Sequence, residues 1–345
     1  MPRPTVKDIA KTANVSLATV DRVLNERTGV RQFTIDKVLK VIDEIGYVRD
    51  IDAANLARRR EYKLVFVLAE GDTHFSAVVE DNINAIIAGP NTDRVALELL
   101  KAPVDDLHKV VAILGTLNNK NHDGVAIMAP ETPLIRDAIR KLKEDGLAVV
   151  TLVSDLPGSG RDHYVGIDNI AAGRTAGFLM SNYLGQQGGK VLITASSMRL
   201  RDSVERRLGF DAYIMEKNHS ITSLPSLEGH NRPEVLASAI RNALDANPDV
   251  RGFYSVGAGV GALLAMLVES GRMNDSFVIA HDLTPQTKKG LHDEMIDVVI
   301  AQNIGHMIRS GIRVLKAISD GAKIDAAQER IRIDIILKEN LFHAG

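Results

Sequence analysis

The chain has 345 residues, of which 45% are hydrophobic and 25% charged, with no cysteine and a formal net charge of −2. That length allows two or three domains with real cores, and the absence of cysteine excludes disulfides and thiolate metal sites. No long uncharged apolar run and no signal-type leader after Met-Pro-Arg-Pro-Thr is present, so a membrane-spanning helix is excluded and a cytoplasmic protein is expected.

Residues 5–25 read as two short helices joined by a tight corner. Thr5 is placed to cap the first, with Asp8 three residues on to complete a capping-box pattern, and Ile9 and Ala13 share its inner face. Asn14 sits at the corner, where a left-handed conformation is often needed. Ser16 caps the second helix, in which Val20, Val23 and Leu24 face inward and Leu17, Ala18, Asp21 and Arg22 face outward. An exposed N-terminal helix face carrying Arg and small side chains suits a DNA major groove. The two-helix pattern by itself also occurs in proteins that never touch DNA. Thr34 is expected to cap a third helix with Ile35, Val38, Leu39, Ile42 and Ile45 inward, ended by Gly46. Residues 1–60 hold 12 basic against 8 acidic residues and the remainder 30 against 36, so positive charge lies where phosphate contact needs it.

Residues 50–60 have helical propensity over about two turns, too short for a stable isolated helix. From Lys63 onward, apolar runs at 64–68, 95–100, 124–129, 148–153, 191–195, 252–256, 277–280 and 298–301 alternate with amphipathic stretches such as 76–88, 134–145, 169–185, 203–217 and 260–271. That alternation predicts parallel sheets covered on both faces. Pro157-Gly158-Ser159-Gly160 breaks the chain after four strands, which predicts two doubly wound lobes with a ligand site at the strand carboxyl ends between them. Arg330–Leu337 alternates charged and apolar residues as a half-exposed strand would.

The runs Thr-Val-Lys-Asp-Ile-Ala (5–10), Val-Ser-Leu-Ala-Thr-Val-Asp-Arg-Val-Leu-Asn (15–25), Ile-Gly-Tyr-Val-Arg-Asp (45–50) and Ala-Ala-Asn-Leu-Ala-Arg (53–58) closely resemble the headpiece of the LacI/GalR transcription-regulator family. The rest resembles the periplasmic ribose-binding-type sugar-binding proteins. The resemblance implies a helix-turn-helix headpiece over 1–49, a hinge helix over 50–60 and a two-lobed α/β effector domain over 61–345. Its lobes would be about 61–162 with 303–322, and 163–302 with 323–345, the chain crossing near 161–165, 301–304 and 321–325. It implies a homodimeric repressor of a palindromic operator. Thr5, Ser16, Thr19, Asn25 and Arg31 would contact phosphates, and Leu17, Ala18 and Arg22 would read base edges. Leu56 would wedge into the minor groove, with Arg59 beside it on DNA. On a plain-linker reading, Arg58, Arg59 and Arg60 are simply solvated charge. Asp21 departs from the small polar residue expected there and is assigned to an ion pair with Arg22 or another neighbour.

For the effector, a monosaccharide or polyol, the resemblance points to Asp72, His74, Phe75, Ser154, Arg201, Asp202, Arg206, Asp282 and Gln302. The Arg-x-x-Gly-Phe pattern carries Arg206, and Ala-Gln-Asn carries Gln302. Asp155 lies one residue late for the Asp-Arg pair of relatives. Where relatives carry Asn-Asp after the Phe253 strand, this chain has Gly257-Ala258-Gly259. That stretch supports a rival reading, since Gly257–Ala262 approximates the dinucleotide fingerprint of a soluble NAD-dependent oxidoreductase. The run comes in the sixth strand-helix unit, and the next strand-end acid, Asp282, is late for a ribose contact. No histidine pair has metal-ligand spacing, and no nucleophile elbow or Walker loop occurs, so neither a catalyst nor a metal or cofactor is expected.

Overall fold

The computed structural model describes residues 4–24, 27–47, 60–70, 74–90, 94–103 and 106–341. Two compact units are present, residues 1–60 and 61–345.

The first unit holds α1 (Val6–Thr12), α2 (Leu17–Leu24) and α3 (Gln32–Ile45) around Ile9, Ala10, Ala13, Val20, Val23, Val38 and Val41. The Asp8 carboxylate accepts from the Thr5 backbone N–H at 2.8 Å and from its hydroxyl at 2.7 Å. Those bonds hold its pKa below the ordinary aspartate value. Asn14 takes φ 49° at the corner, and Ser16 accepts the Thr19 N–H at 3.1 Å, fixing the start of α2. Two expectations are corrected. The third helix begins at Gln32 with Arg31 in the cap position, so Thr34 lies inside its first turn. Leu39 is 49% exposed, because the buried stripe uses Val38 and Val41 and position 39 lies a further 100° or so round the helix.

The second unit contains two sheets. The first has strand order β2-β1-β3-β4-β5 and is parallel throughout: β1 (Tyr62–Glu70), β2 (Val95–Pro103), β3 (Gly124–Met128), β4 (Ala148–Leu152) and β5 (His163–Val165). The second has order β12-β11-β10-β9-β6-β7, built from β6 (Gly189–Ala195), β7 (Ile221–Ser223), β9 (Val250–Ser255), β10 (Phe277–His281), β11 (Val298–Gln302) and an antiparallel edge, β12 (Ile333–Ile336). The two-residue β8 (Leu227–Glu228) also pairs with β6. All eight apolar runs fall in strands; the interior strands are apolar at consecutive positions because both faces are covered, whereas edge strand β2 leaves Ala96, Glu98 and Lys101 exposed.

Helices α4 (His74–Ala88), α5 (Leu107–Leu114) and α6 (Pro133–Glu144) serve the first lobe; α7 (Asn169–Leu184), α8 (Arg201–Lys217), α9 (Pro233–Ala246), α10 (Val260–Glu269) and α11 (Pro285–His292) serve the second. Helix α12 (Ile304–Ser319) returns to the first sheet, where Leu315 packs on Gly124 and Ser319 donates to the Asp123 carbonyl at 3.1 Å. One boundary moves. Because β5 hydrogen-bonds to β4, residues 163–165 belong to the first lobe rather than the second, and the chain leaves that lobe after Val165, at the end of the crossing expected over 161–165.

Helices α7 and α8 cross at very short range. A Cβ on Gly173 would lie 1.9 Å from the Arg206 carbonyl oxygen, and one on Gly209 would lie 2.1 Å from that of Ile170. Glycine at these two positions sets where Arg206 enters the cleft.

Candidate DNA interface and effector cleft

In the first unit Leu17, Ala18, Asp21 and Arg22 are exposed along the outer face of α2. Arg22 and Arg31 have no partner among the described residues, which leaves both guanidinium groups free for an incoming ligand. Asp21 pairs with Arg27 at 3.2 Å rather than with Arg22. Thr5, Ser16 and Thr19 already exchange hydrogen bonds, Thr5 with Asp8 and Ser16 with Thr19 at 2.8 Å. Asn25, Leu56, Arg59 and the hinge segment through residue 59 lie outside the described residues.

In the second unit a cavity of about 690 Å³ lies at the carboxyl ends of strands from both sheets, a size that suits a small metabolite. His74, Phe75, Met128 and Ser154 line it from the first lobe, and Asp202, Arg206 and Asp282 from the second. At its floor Arg206 is 1% exposed. Its Nε donates to Asn169 Oδ1 at 2.9 Å and its Nη1 to the Val256 carbonyl at 2.8 Å, with Asp282 at 3.6 Å and Asp202 at 3.8 Å. Gln302 donates to Asp282 at 3.1 Å. Burial pushes the Asp282 carboxyl above the ordinary aspartate range, against the opposing pull of Arg206 and Gln302. Burial, aided by Arg206, also holds His281 well below the usual histidine range, and its Nε2 is hydrogen-bonded to the Tyr254 hydroxyl at 2.8 Å.

Arg206 Nη2, His281 Nδ1 and Gln302 Oε1 are buried without hydrogen-bond partners. Buried polar atoms are almost always satisfied, so the orphans on Arg206 and His281, whose side chains line the cavity, and that on Gln302 behind Asp282 leave the polar network incomplete. The backbone is strained at the same place: Val153 and Asp282, each just beyond a strand end, take φ 63° and 64°. A β-branched residue there is costly and persists only where the surroundings over-determine it. The Tyr164 hydroxyl (2.8 Å) and the Asn169 amide (3.3 Å) both donate to the Val153 carbonyl. Asn169 thereby ties the first lobe to Arg206.

Of the residues expected at this site, His74, Phe75, Ser154, Asp202, Arg206 and Asp282 come together around the cavity. Gln302 stands behind Asp282 and positions it. Arg201 points elsewhere: it is held by Glu205 at 2.7 Å and, across the lobes, by Glu131 at 3.1 Å. Asp72 lies outside the described residues. Asp155 grips Arg161 through both carboxylate oxygens and is absent from the lining. Sequence reasoning missed Asn169, His281 and Val153; only His281 carried a signal, as the neighbour of Asp282.

Residues 64–323 match the family profile described as "Periplasmic binding protein domain", and residues 5–50 that described as "Bacterial regulatory proteins, lacI family". The chain belongs to the periplasmic binding protein domain family, with a LacI-family regulatory segment before it. Among curated proteins, this LacI-type chain is 22% identical over 280 residues to the probable HTH-type transcriptional repressor ExuR of Bacillus subtilis, covering 80% of each chain. It is 29% identical over 162 residues to catabolite control protein A of Streptococcus mutans, covering 46% of this chain and 47% of that one. Among solved structures, a glucose-galactose binding protein of Geobacillus stearothermophilus superposes with a TM-score of 0.73 at 22% identity, covering 82% of this chain and 99% of the other. That likeness fixes the fold.

Nothing in these relationships supports the dinucleotide reading of Gly257–Ala262. The structure gives those glycines other reasons: Gly259 takes φ 110° as the cap of α10, and a Cβ on Gly261 would lie 2.1 Å from the Gln286 amide nitrogen. No helix among the described residues is long and apolar enough to cross a membrane.

Proposed function

We propose that the chain is a sequence-specific DNA-binding transcriptional repressor whose operator affinity is set by a sugar-like effector in the cleft. The observation that carries this reading is the joining, in one chain, of a helix-turn-helix unit with free Arg22 on its reading face and a two-lobed unit with an incomplete polar floor. Arg22 would grip guanine through O6 and N7, while Leu17 and Ala18 would meet thymine methyls. Arg31, Asn25 and Arg59 would hold phosphates, and Leu56 would wedge the minor groove from a hinge helix spanning about 50–60. Phe75 offers a ring to the apolar face of a sugar, and Asp202 and Asp282 accept from hydroxyls.

One headpiece reads one half-site, so a palindromic operator calls for a homodimer. The outer face of α7 and α8 supports self-association, since Ile170, Phe178, Val204, Leu208 and Met215 are all exposed there. The effector controls DNA only through a difference in its affinity for the two lobe arrangements.

The test is fluorescence anisotropy on duplexes selected from a random pool by the full chain. Arg22→Ala is expected to lose about 1–3 kcal/mol of specific binding and to relax preference at one base pair. Unchanged affinity and preference would reject the reading-helix assignment.

A further inference from the structure

The glycine run between β9 and α10 is left over from both the DNA reader and a generic sugar cleft. We propose that Gly257–Gly261 and Arg206 together seat an acidic group, so that the effector is a negatively charged sugar, either a sugar acid or a sugar phosphate. This rests on the effector reading above and narrows it.

Three features lead there. The first is the backbone. Helix α10 begins at Val260 with Gly259 as its cap and no side-chain cap bond, and the N–H groups of Gly259, Val260 and Gly261 have no acceptor among the described residues. All three residues line the cavity. Free amides at a helix start are the usual backbone recognition of carboxylate or phosphate. The start of the run is open, since a Cβ on Gly257 would meet nothing nearer than Ser203 Oγ at 4.0 Å, while Leu236 and Gln286 pack against Gly259 and Gly261.

The second is Arg206. Its Nη1 holds the carbonyl of Val256, the residue immediately before the run, while Nη2 is buried, unpartnered and part of a side chain lining the same cavity. A guanidinium with one nitrogen spare beside free amides presents charge and donors to one anion.

The third is the balance of charge. Arg199, Arg206 and Arg232 line the cavity against Asp202 and Asp282, and burial biases Asp282 toward its neutral form. The lining therefore favours a ligand with negative charge, while the two aspartates remain to receive its hydroxyls.

The test is calorimetric titration of the full chain with D-gluconate, D-glucuronate, D-glucose 6-phosphate, D-glucose and D-sorbitol. At least one of the three acids should bind about tenfold or more tighter than glucose and sorbitol, with a margin that shrinks as salt rises. Preference for the carboxylates or for the phosphate names the source of the charge. Gly257→Asp should lower the affinity of the best acid by about tenfold or more, and Gly257→Asn by less than about threefold, because only the first adds repulsion. Melting curves establish that both variants fold. Neutral sugars binding as tightly as the acids, or equal losses in the Asp and Asn variants, would overturn the acidic seat while leaving the sugar-effector reading intact. Binding of none of the five would remove that reading and the acidic seat with it.

Discussion

Replacing Arg206 by Met tests whether the floor of the cleft is a buried electrostatic network or a wetted one. The substitution keeps most of the side-chain volume and removes the charge. It leaves Asn169 Oδ1 and the Val256 carbonyl without their donors, and Asp282 and Asp202 without the cation now 3.6 and 3.8 Å away. Breaking a buried ion pair by deleting one partner costs about 3–5 kcal/mol, mostly from the charge left behind. At roughly 2 °C per kcal/mol for a unit of this size, the melting temperature should fall by about 6–10 °C.

The loss should also depend on pH. The folded pKa of Asp282 already lies above its unfolded value through burial. The native state therefore binds this proton more readily than the unfolded chain, and stability rises as pH is lowered through the raised pKa toward the ordinary carboxylate range. Removing Arg206 enlarges that difference, so Arg206→Met should be most destabilising near neutrality and less so in mild acid. Asp282→Asn in the same background should recover part of the loss, with a coupling of about 1–3 kcal/mol in a double-mutant cycle. Urea unfolding at several pH values reads all of this. A loss below about 1 kcal/mol that does not change with pH would refute the reasoning, because it would mean that water screens Asp282.

Gly173→Ala should destabilise by about 1–3 kcal/mol or more and weaken effector binding, since its Cβ would meet the Arg206 carbonyl oxygen at 1.9 Å; a neutral result in urea unfolding and calorimetry would show that α7 and α8 slide apart freely. Asp155 is held below the ordinary aspartate range, burial being outweighed by Arg161. Its contribution is thus present above the unfolded pKa and lost as pH falls through the depressed one. Asp155→Asn should therefore flatten the acid side of the stability profile, and an unchanged profile would contradict the pairing. Leu208→Glu on the exposed face of α8 should shift the chain toward monomer in light scattering and weaken operator binding more than effector binding; a persistent dimer places the interface elsewhere.

Most of the main strands were legible because burial on both faces forces apolar residues at consecutive positions. The run alone does not exclude a helix, since Val260–Val268 of α10 is as apolar and only its length and glycine-rich start set it apart. Strands β5 and β7, three residues each, are too short to carry it. Thr34 drew attention as a cap because of its side chain, whereas α3 starts from the extended backbone of Arg31 and needs no side-chain bond. At the cleft, position after a strand was enough to find Phe75, Ser154 and Asp282. The Arg-x-x-Gly-Phe pattern singled out Arg206, whereas nothing in the sequence excluded Arg201 from the same site. They stand roughly 140° apart on one helix, and only packing decides that one enters the floor while the other reaches Glu131 of the opposite lobe. Asn169 had no sequence signal, since its role arises from two hydrogen bonds of its side chain, one donated to the Val153 carbonyl and one accepted from Arg206, that reach different lobes. Val153 runs against propensity altogether: nothing in a β-branched residue announces φ 63°.

The central claim is that one ligand in the cleft sets the affinity of the other unit for DNA. It is tested most directly by measuring the dissociation constant of the full chain for its selected operator duplex, with and without a saturating concentration of the tightest-binding sugar. The account requires a change of about fivefold or more, upward or downward, that disappears in Arg206→Met. An operator affinity identical with and without the bound sugar would contradict it.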